Sequence, residues 1–193
     1  NERVLDEASD EDVPLCERLT FVSIFSTNLD EFYRVRVGSI YDQMIISDKK
    51  RENKTYMTSS EQLERIFKRT KELLKKKEHI YNGLMKEVKN YGVQIVNFDK
   101  LSKEEKDGME NYFKNNVMPL LSPQVIGKKH PFPFLNNQEI YAVALLESKN
   151  NDKICIVPCR SSVFNRLVQI VPGSGRYMLI EELILHYMPM IFE

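Results

Sequence analysis

A regular pattern of apolar residues between residues 58 and 91 constrains the fold of this chain more than any other sequence feature. Apolar side chains recur there every three or four positions for about eight turns, which predicts one amphipathic helix. Thr58 and Glu61 form a capping box at its start, and Gly92 is placed to end it. A helix from Ser59 to Tyr91 is about 50 Å long at ~1.5 Å per residue, so it needs a partner to bury its stripe.

The preceding segment, from about Val13 to Ser47, is predicted to supply that partner. Asp12 and Pro14 are residue types suited to a helix start. Seven residues then recur at spacings of three, four or seven, and their apolar members share one face: Leu15, Leu19, Val22, Leu29, Phe32, Arg36 and Ile40. The polar residues around 48–56 form the turn between the two rods, so we expect the rods to pack antiparallel.

After Gly92 the spacing changes from helical to mixed. Ser102 and Glu105 cap another helix to about Asn116, and the tail from Glu181 to Pro189 is helical again. The apolar runs that predict an antiparallel sheet are 140–146, 154–157, 167–171 and 177–180, with a further alternating run at 93–98. These patterns predict an α+β fold, with an all-α domain at residues 1–91 followed by an α+β domain at residues 92–193.

Composition excludes several classes of protein. The 28 Lys and Arg residues balance 28 Asp and Glu residues, which argues against a nucleic-acid-binding protein or one that coats an anionic membrane. No apolar run approaches the ~18 to 20 residues of a transmembrane segment, so we expect a cytoplasmic protein. Cys16, Cys155 and Cys159 are too few for a disulfide framework and lack the partners of a zinc site, so the last two are expected to be buried thiols.

The most informative stretch is residues 21–37, where Ser26, Thr27 and Asn28 interrupt an apolar helical run. These are poor helix formers, and two interpretations are open. In the first, Asn28 caps a second helix and Glu31 completes a variant capping box. In the second, the Asn28 amide meets the complementary edge of an adenine. Aromatic residues nearby suit either a base-stacking surface or a hydrophobic core: Phe21, Phe25 and Phe32.

Several segments resemble polyphosphate kinases of the first family. NERVLDEA at residues 1–8 and PLCERLTFVSIFSTNLDEFYRVRVGSI at 14–40 are similar to the family's amino-terminal domain. HPFPFLNN at 130–137 and NRLVQIVP at 165–172 resemble its head domain, which the chain contains incompletely. The resemblance implies an enzyme that transfers the terminal phosphate of ATP, with Mg2+, to polyphosphate. It also implies a homo-oligomer formed through the head domain, in the cytoplasm or peripherally at the membrane.

The same resemblance implies which chemistry this chain holds. Asn28 occupies the family's ATP-contacting position, with Phe21 as a weaker candidate beside it. The catalytic phosphohistidine belongs to later domains of phospholipase D-like fold, and His79, His130 and His186 do not match its motif. The chain, which reads as a piece of a longer protein, is therefore expected to be inactive alone, with neither catalytic residues nor metal ligands.

Alternatives to the nucleotide role remain open. One is a structural or dimerisation module without a nucleotide site, for which the apolar tail from Leu183 to Phe192 is a candidate surface, and another is a cytosolic helical interaction protein. The basic residues between Lys68 and Lys77, and those at 128–130, are either solvated surface or contacts for phosphate.

Overall fold

The computed structural model describes residues 1–47, 51–127, 131–147, 153–159 and 162–192. The chain divides into two compact units, Asn1–Tyr91 and Gly92–Glu193. Helices make up the first unit, and the second combines strands with helices, which confirms the predicted α+β fold class. In the described part of the chain, no helix combines the length and apolar character needed to cross a bilayer.

The first unit, called the helical unit below, is built around two long rods. Its helices are α1 (Glu2–Ser9), α2 (Leu15–Phe32), α3 (Gly38–Ser47) and α4 (Ser59–Asn90). The predicted capping box is present at α4, because the Glu61 N–H donates to Thr58 Oγ1 (3.2 Å) and the Thr58 N–H donates to Glu61 Oε2 (2.8 Å). Gly92 follows the helix with a φ of +80°, a conformation that glycine adopts without strain.

A π-helical segment, Tyr33–Val37, joins α2 to α3 without a break. The spacing of Leu29 and Phe32 extrapolates to Arg36 as the next stripe position, as the sequence pattern suggested. A π turn contains one extra residue, and this moves Val37 onto the buried face instead. Arg36 is exposed. The predicted stripe was therefore wrong at Arg36, whereas its last member, Ile40, is buried as expected.

The buried residues of the helical unit, as far as the structure describes it, fall into three small layers along the rods, and half-buried Ile80 packs against the first two. One layer joins Ala8, Val22 and Leu84, the next joins Leu5, Phe25 and Leu73, and the third joins Val37, Ile40 and Leu63. From the first layer to the third, the residue numbers rise along α2 and α3 and fall along α4, which confirms the antiparallel packing.

One buried arginine connects three helices of this unit. The Arg18 side chain, on α2, donates from Nε to the Ala8 carbonyl at the end of α1 (3.2 Å). The same guanidinium forms an ion pair with Glu87 on α4 (3.0 Å). Arg18 is only 9% exposed, so these contacts satisfy a charge that would be costly to bury alone.

The described residues of the second unit form six short strands and two α-helices. They are β1 (Gln94–Ile95), α5 (Lys103–Tyr112), β2 (Gln124–Ile126), β3 (Tyr141–Leu146), β4 (Lys153–Pro158), β5 (Leu167–Gln169), β6 (Arg176–Leu179) and α6 (Ile180–His186). A π-helical segment, Phe113–Val117, extends α5, and short 3-10 turns follow at Met118–Leu120 and Met188–Ile191. The capping box of Ser102 and Glu105 is present as predicted.

The strands form two sheets rather than one. The order β2–β4–β3 is antiparallel, whereas in β1–β6–β5 the first pair is parallel. The apolar run at 93–98 shortens to the two residues of β1. Gly175 makes this pairing possible, because a Cβ there would collide with the carbonyl oxygen of Gly92.

One continuous core fills the second unit. It joins residues of both sheets and of α5 and α6, among them Phe113, Cys155 and Met178. Cys155 and Cys159 are buried free thiols, as expected. Leu183 and Ile184 of the apolar tail are fully buried in this same core. The interpretation of the tail as a free interface is therefore wrong for these residues, because they already stabilise their own unit.

Candidate functional site

The polar triplet at residues 26–28 lies inside α2 and does not interrupt it. Ser26 Oγ donates to the Val22 carbonyl (3.1 Å), and Thr27 Oγ1 donates to the Ser23 carbonyl (3.3 Å). Each hydroxyl thus bonds to the preceding turn, which lets these residue types occupy a helix interior. The interpretation of Asn28 as an N-cap is wrong, since an N-cap precedes its helix.

Asn28 offers its side-chain amide at a half-buried position of α2. No hydrogen bond of that amide to the described part of the chain is recorded. Ile24 and Phe21 precede it by four and seven residues, so the three share one face of the helix. Phe21 is half-buried against the layer of Ala8, and Ile24 is 40% exposed. The structure thus brings both sequence-predicted site residues, Asn28 and Phe21, to one partly apolar face.

The other two aromatic residues of this stretch belong to the interior. Phe25 is fully buried between Leu5 and Leu73. Phe32 packs against the layer of Val37 and meets the ring of Tyr33 edge-on, with centroids 6.1 Å apart. The core interpretation is confirmed for Phe25, which has no surface left for a base.

Part of the basic run on α4 is paired within the helical unit. Arg69 forms ion pairs with Glu2 and Glu72, and Lys76 pairs with Asp6. Lys77 donates to Ser26 Oγ (3.1 Å), which ties α4 to the turn of α2 that precedes Asn28. The exposed lysines that remain in the run are Lys68, Lys71 and Lys75. The basic residues Lys128, Lys129 and His130 lie outside the described residues.

A polar cleft of about 450 Å3 lies between α3 and the start of α4, and the sequence analysis missed it. Its charged lining residues are Arg36, Arg51 and Glu52. The only sequence signal for the cleft was Arg36 at an otherwise apolar position of the stripe. This signal could not be interpreted without the π turn, which leaves Arg36 exposed.

Metal-binding and histidine chemistry have little support in the described ranges. No three His, Cys, Asp or Glu side chains converge there as a metal site would require. His79 is exposed on α4. His186 stacks on Phe98 with ring centroids 3.4 Å apart, which gives it a packing role.

Family models match nearly the whole chain. Residues 1–96 match the polyphosphate kinase N-terminal domain, and residues 104–193 match the polyphosphate kinase middle domain. The chain belongs to the polyphosphate kinase family. It is 34% identical over 200 residues to a polyphosphate kinase of Halalkalibacterium halodurans, and 36% identical over 193 residues to one of Staphylococcus saprophyticus.

These relatives are much longer than this chain. All of the chain aligns with each, but it covers only 28% of the first and 27% of the second. The crystal structure of polyphosphate kinase from Porphyromonas gingivalis has the same fold, with a TM-score of 0.74 at 23% identity. That match covers 99% of this chain and 29% of the crystallised one.

Proposed function

We propose that this chain is part of an enzyme that transfers the terminal phosphate of ATP to polyphosphate, and that its helical unit positions the adenine. The observation that carries the proposal is the side-chain amide of Asn28, which lies half-buried without a recorded partner among the described residues. An amide offers a donor and an acceptor side by side, and an adenine edge presents the opposite pair.

The surroundings of Asn28 suit a positioning role. Phe25 anchors this part of α2 in the core, and Lys77 holds the turn before Asn28 through Ser26. A rigid helix presents the amide at a fixed place, which lowers the entropic cost of aligning a bound base. Ile24, one turn before Asn28, adds exposed apolar surface on which part of the base can rest.

We assign the phosphoryl chemistry to parts of the enzyme other than these residues. Mg2+ is expected to act with ATP in the full-length enzyme, but the described residues hold no cluster suited to bind it. The proposed division of labour therefore leaves this chain inactive alone, in keeping with its coverage of about a quarter of its relatives. We propose a cytoplasmic enzyme, in solution or peripherally at the membrane.

The substitution Asn28→Asp in the full-length enzyme tests the adenine contact. It removes the amide donor and adds a negative charge, so the KM for ATP is expected to rise by a factor equivalent to about 1–3 kcal/mol. Steady-state kinetics at varied ATP measure this effect. Asn82→Asp is the matched control, because it makes the same change at an exposed position of α4. An unaltered KM in a variant with the parent melting temperature would refute the nucleotide role.

A second candidate role, dimerisation, is favoured by the outward face of the sheet β2–β4–β3. Val143 and Leu145 are 57% and 62% exposed, and Ile154, which pairs with Leu145 in the ladder, is 41% exposed. Paired residues of an antiparallel ladder lie on one face, so these side chains form a common apolar surface. We propose that this surface contacts a second copy.

The substitution Leu145→Glu tests this interface in the full-length enzyme. A negative charge at the centre of this surface is expected to weaken the dimer, because the carboxylate would lose its hydration on association. At micromolar concentration the sedimentation coefficient should therefore fall from the value of a dimer to that of a monomer. Leu185→Glu, at a 53% exposed position of α6, is the control. Equal dimer populations in the two variants would remove this face as the interface.

A further inference from the structure

The cleft between α3 and the start of α4 has the properties of a built polar site. Its volume of about 450 Å3 lies within the range of ~300–1,000 Å3 typical of small-molecule sites. Among the described residues that line it, only Ile40 and Ile46 are apolar and none is aromatic. The lining therefore favours a charged or hydrogen-bonding ligand over a base or another ring.

The floor of the cleft holds a polar group without a recorded partner. Ser59 is only 4% exposed and lines the cleft, and no hydrogen bond of its hydroxyl within the described ranges is recorded. A hydroxyl on the cleft wall that is not engaged by neighbouring groups can donate to, or accept from, a bound ligand. Ser59 is also the first residue of the 32-residue helix α4, whose amino-terminal end carries partial positive charge.

Two guanidinium groups line the cleft. The π turn leaves Arg36 exposed, and no ion pair of this side chain with described residues is recorded. Arg51 donates to the Tyr56 carbonyl (2.7 Å) and lies 3.9 Å from Glu61, so its side chain is oriented while other N–H groups remain for a ligand.

Glu52 is the acidic residue of the lining, and its carboxylate is already engaged. Its Oε2 accepts hydrogen bonds from the N–H and the hydroxyl of Thr55, each at 2.7 Å. The Thr55 hydroxyl and amide lower the pKa of Glu52, so its charge is already stabilised by these donors. Among the described residues that line the cleft, two guanidinium groups thus face one carboxylate, and Glu61, which lies 3.9 Å from Arg51, is outside the lining.

From these observations we infer that the cleft binds a short linear inorganic phosphate chain, at a site separate from the proposed adenine contact. Guanidinium forks match phosphate oxygens in geometry and charge. Gln43 and Gln62 add amide donors to the lining. Arg36 lies eight residues beyond Asn28, about 12 Å along a helix axis, so the inference does not depend on the role of Asn28.

Calorimetric titration of the 193-residue chain with tripolyphosphate tests the inference. Arg36→Gln and Arg51→Gln are each expected to weaken the affinity about tenfold, and Ser59→Ala by a few-fold. Arg65→Gln is the matched control, because Arg65 is exposed on α4 and does not line the cleft. We expect the control to bind within about twofold of the parent chain and higher salt to weaken binding throughout. Thermal melts verify that each variant is folded.

Further titrations test whether the cleft recognises a phosphate chain rather than single phosphates or a nucleoside. Inorganic phosphate is expected to bind more weakly than tripolyphosphate. Adenosine is expected not to compete with tripolyphosphate. Unchanged affinity in all three cleft variants, an equal loss in Arg65→Gln, or no binding of tripolyphosphate to the folded chain would each overturn the inference. Weaker tripolyphosphate binding by Asn28→Asp would overturn the separateness of the two sites, because it would join the cleft to the nucleotide contact.

Discussion

The two units bury their apolar side chains in different ways. The helical unit stacks three small layers along its rods, whereas the second unit gathers its buried residues into one continuous core. Small layers leave room for polar side chains on the same helices: Asn28 lies between Phe25 and Val37 along the rod, and Arg36 directly precedes Val37. A layered core thus allows a helix to carry polar groups without opening a hydrophobic interior.

The largest expected effect comes from removing one fully buried ring in each unit. Phe113 lies in the continuous core and Phe25 in a single layer. For Phe113→Ala we expect a loss of about 4–5 kcal/mol in the free energy of unfolding, and for Phe25→Ala about 3 kcal/mol, because helices around one thin layer can close partly on the cavity. Urea unfolding followed by methyl NMR signals of each unit measures both values.

The control for this pair is Leu185→Ala, at an exposed position of the second unit, which is expected to change stability by less than about 1 kcal/mol. A loss for Phe25→Ala equal to or larger than that for Phe113→Ala would break the comparison, since it would mean that the layers are as rigid as the continuous core.

An intermediate effect is expected at the capping boxes, where the two units are alike. Thr58 begins α4 and Ser102 begins α5, and each side chain accepts the N–H three residues later at 3.2 Å. Thr58→Ala and Ser102→Ala are each expected to cost about 1 kcal/mol of unfolding free energy. The same urea titrations measure the losses, with Ser39→Ala as the control, because this exposed serine lies at the start of α3 inside the continuous rod and caps no helix. Losses restricted to one unit would show that its helix does not depend on the cap.

The smallest expected effect is a pH dependence of the stability of the second unit. Burial raises the pKa of Cys155, Cys159 and Tyr187 above their ordinary values. Such groups favour the folded state while they are protonated, and this stability is lost as the pH rises above about 8.5 and through the folded pKa values. Between pH 7.5 and 9.5 we therefore expect the second unit to lose stability.

Cys159→Ala should reduce this slope, because it removes one titrating group. The measurement is the unfolding midpoint of the second unit at both pH values, in the parent chain and in the variant. An unchanged midpoint in the parent chain would contradict the raised pKa values.

Local features of the fold were predictable from the sequence, because neighbouring residues determine them. Both capping boxes, the end of α4 near Gly92 and the antiparallel rods were predicted from short patterns. The pairing of β1 with β6 was not, since partners some eighty residues apart leave no local signal. The π turn was missed for a different reason: one inserted residue shifts a stripe without changing its composition.

The candidate site shows the same division. Residue types alone could not decide whether Asn28 caps a helix or contacts a ligand. The structure excludes the cap, because α2 continues through Asn28 without a break. Its role in adenine binding stays a prediction. The cleft beside Arg36 was beyond sequence reasoning, because it depends on how α3 meets the start of α4 in three dimensions.

The parallel pairing of β1 with β6 has a consequence for how the chain folds during synthesis. The helical unit is complete once residue 91 has left the ribosome, and its short-range contacts favour rapid folding. β1 follows at once, yet its partner Arg176 emerges about eighty residues later, which takes ~4–16 s at ~5–20 residues per second. During that delay Val96 and Phe98, both destined for the core, remain exposed on the nascent chain. Chaperone capture should therefore concentrate on this interval of translation.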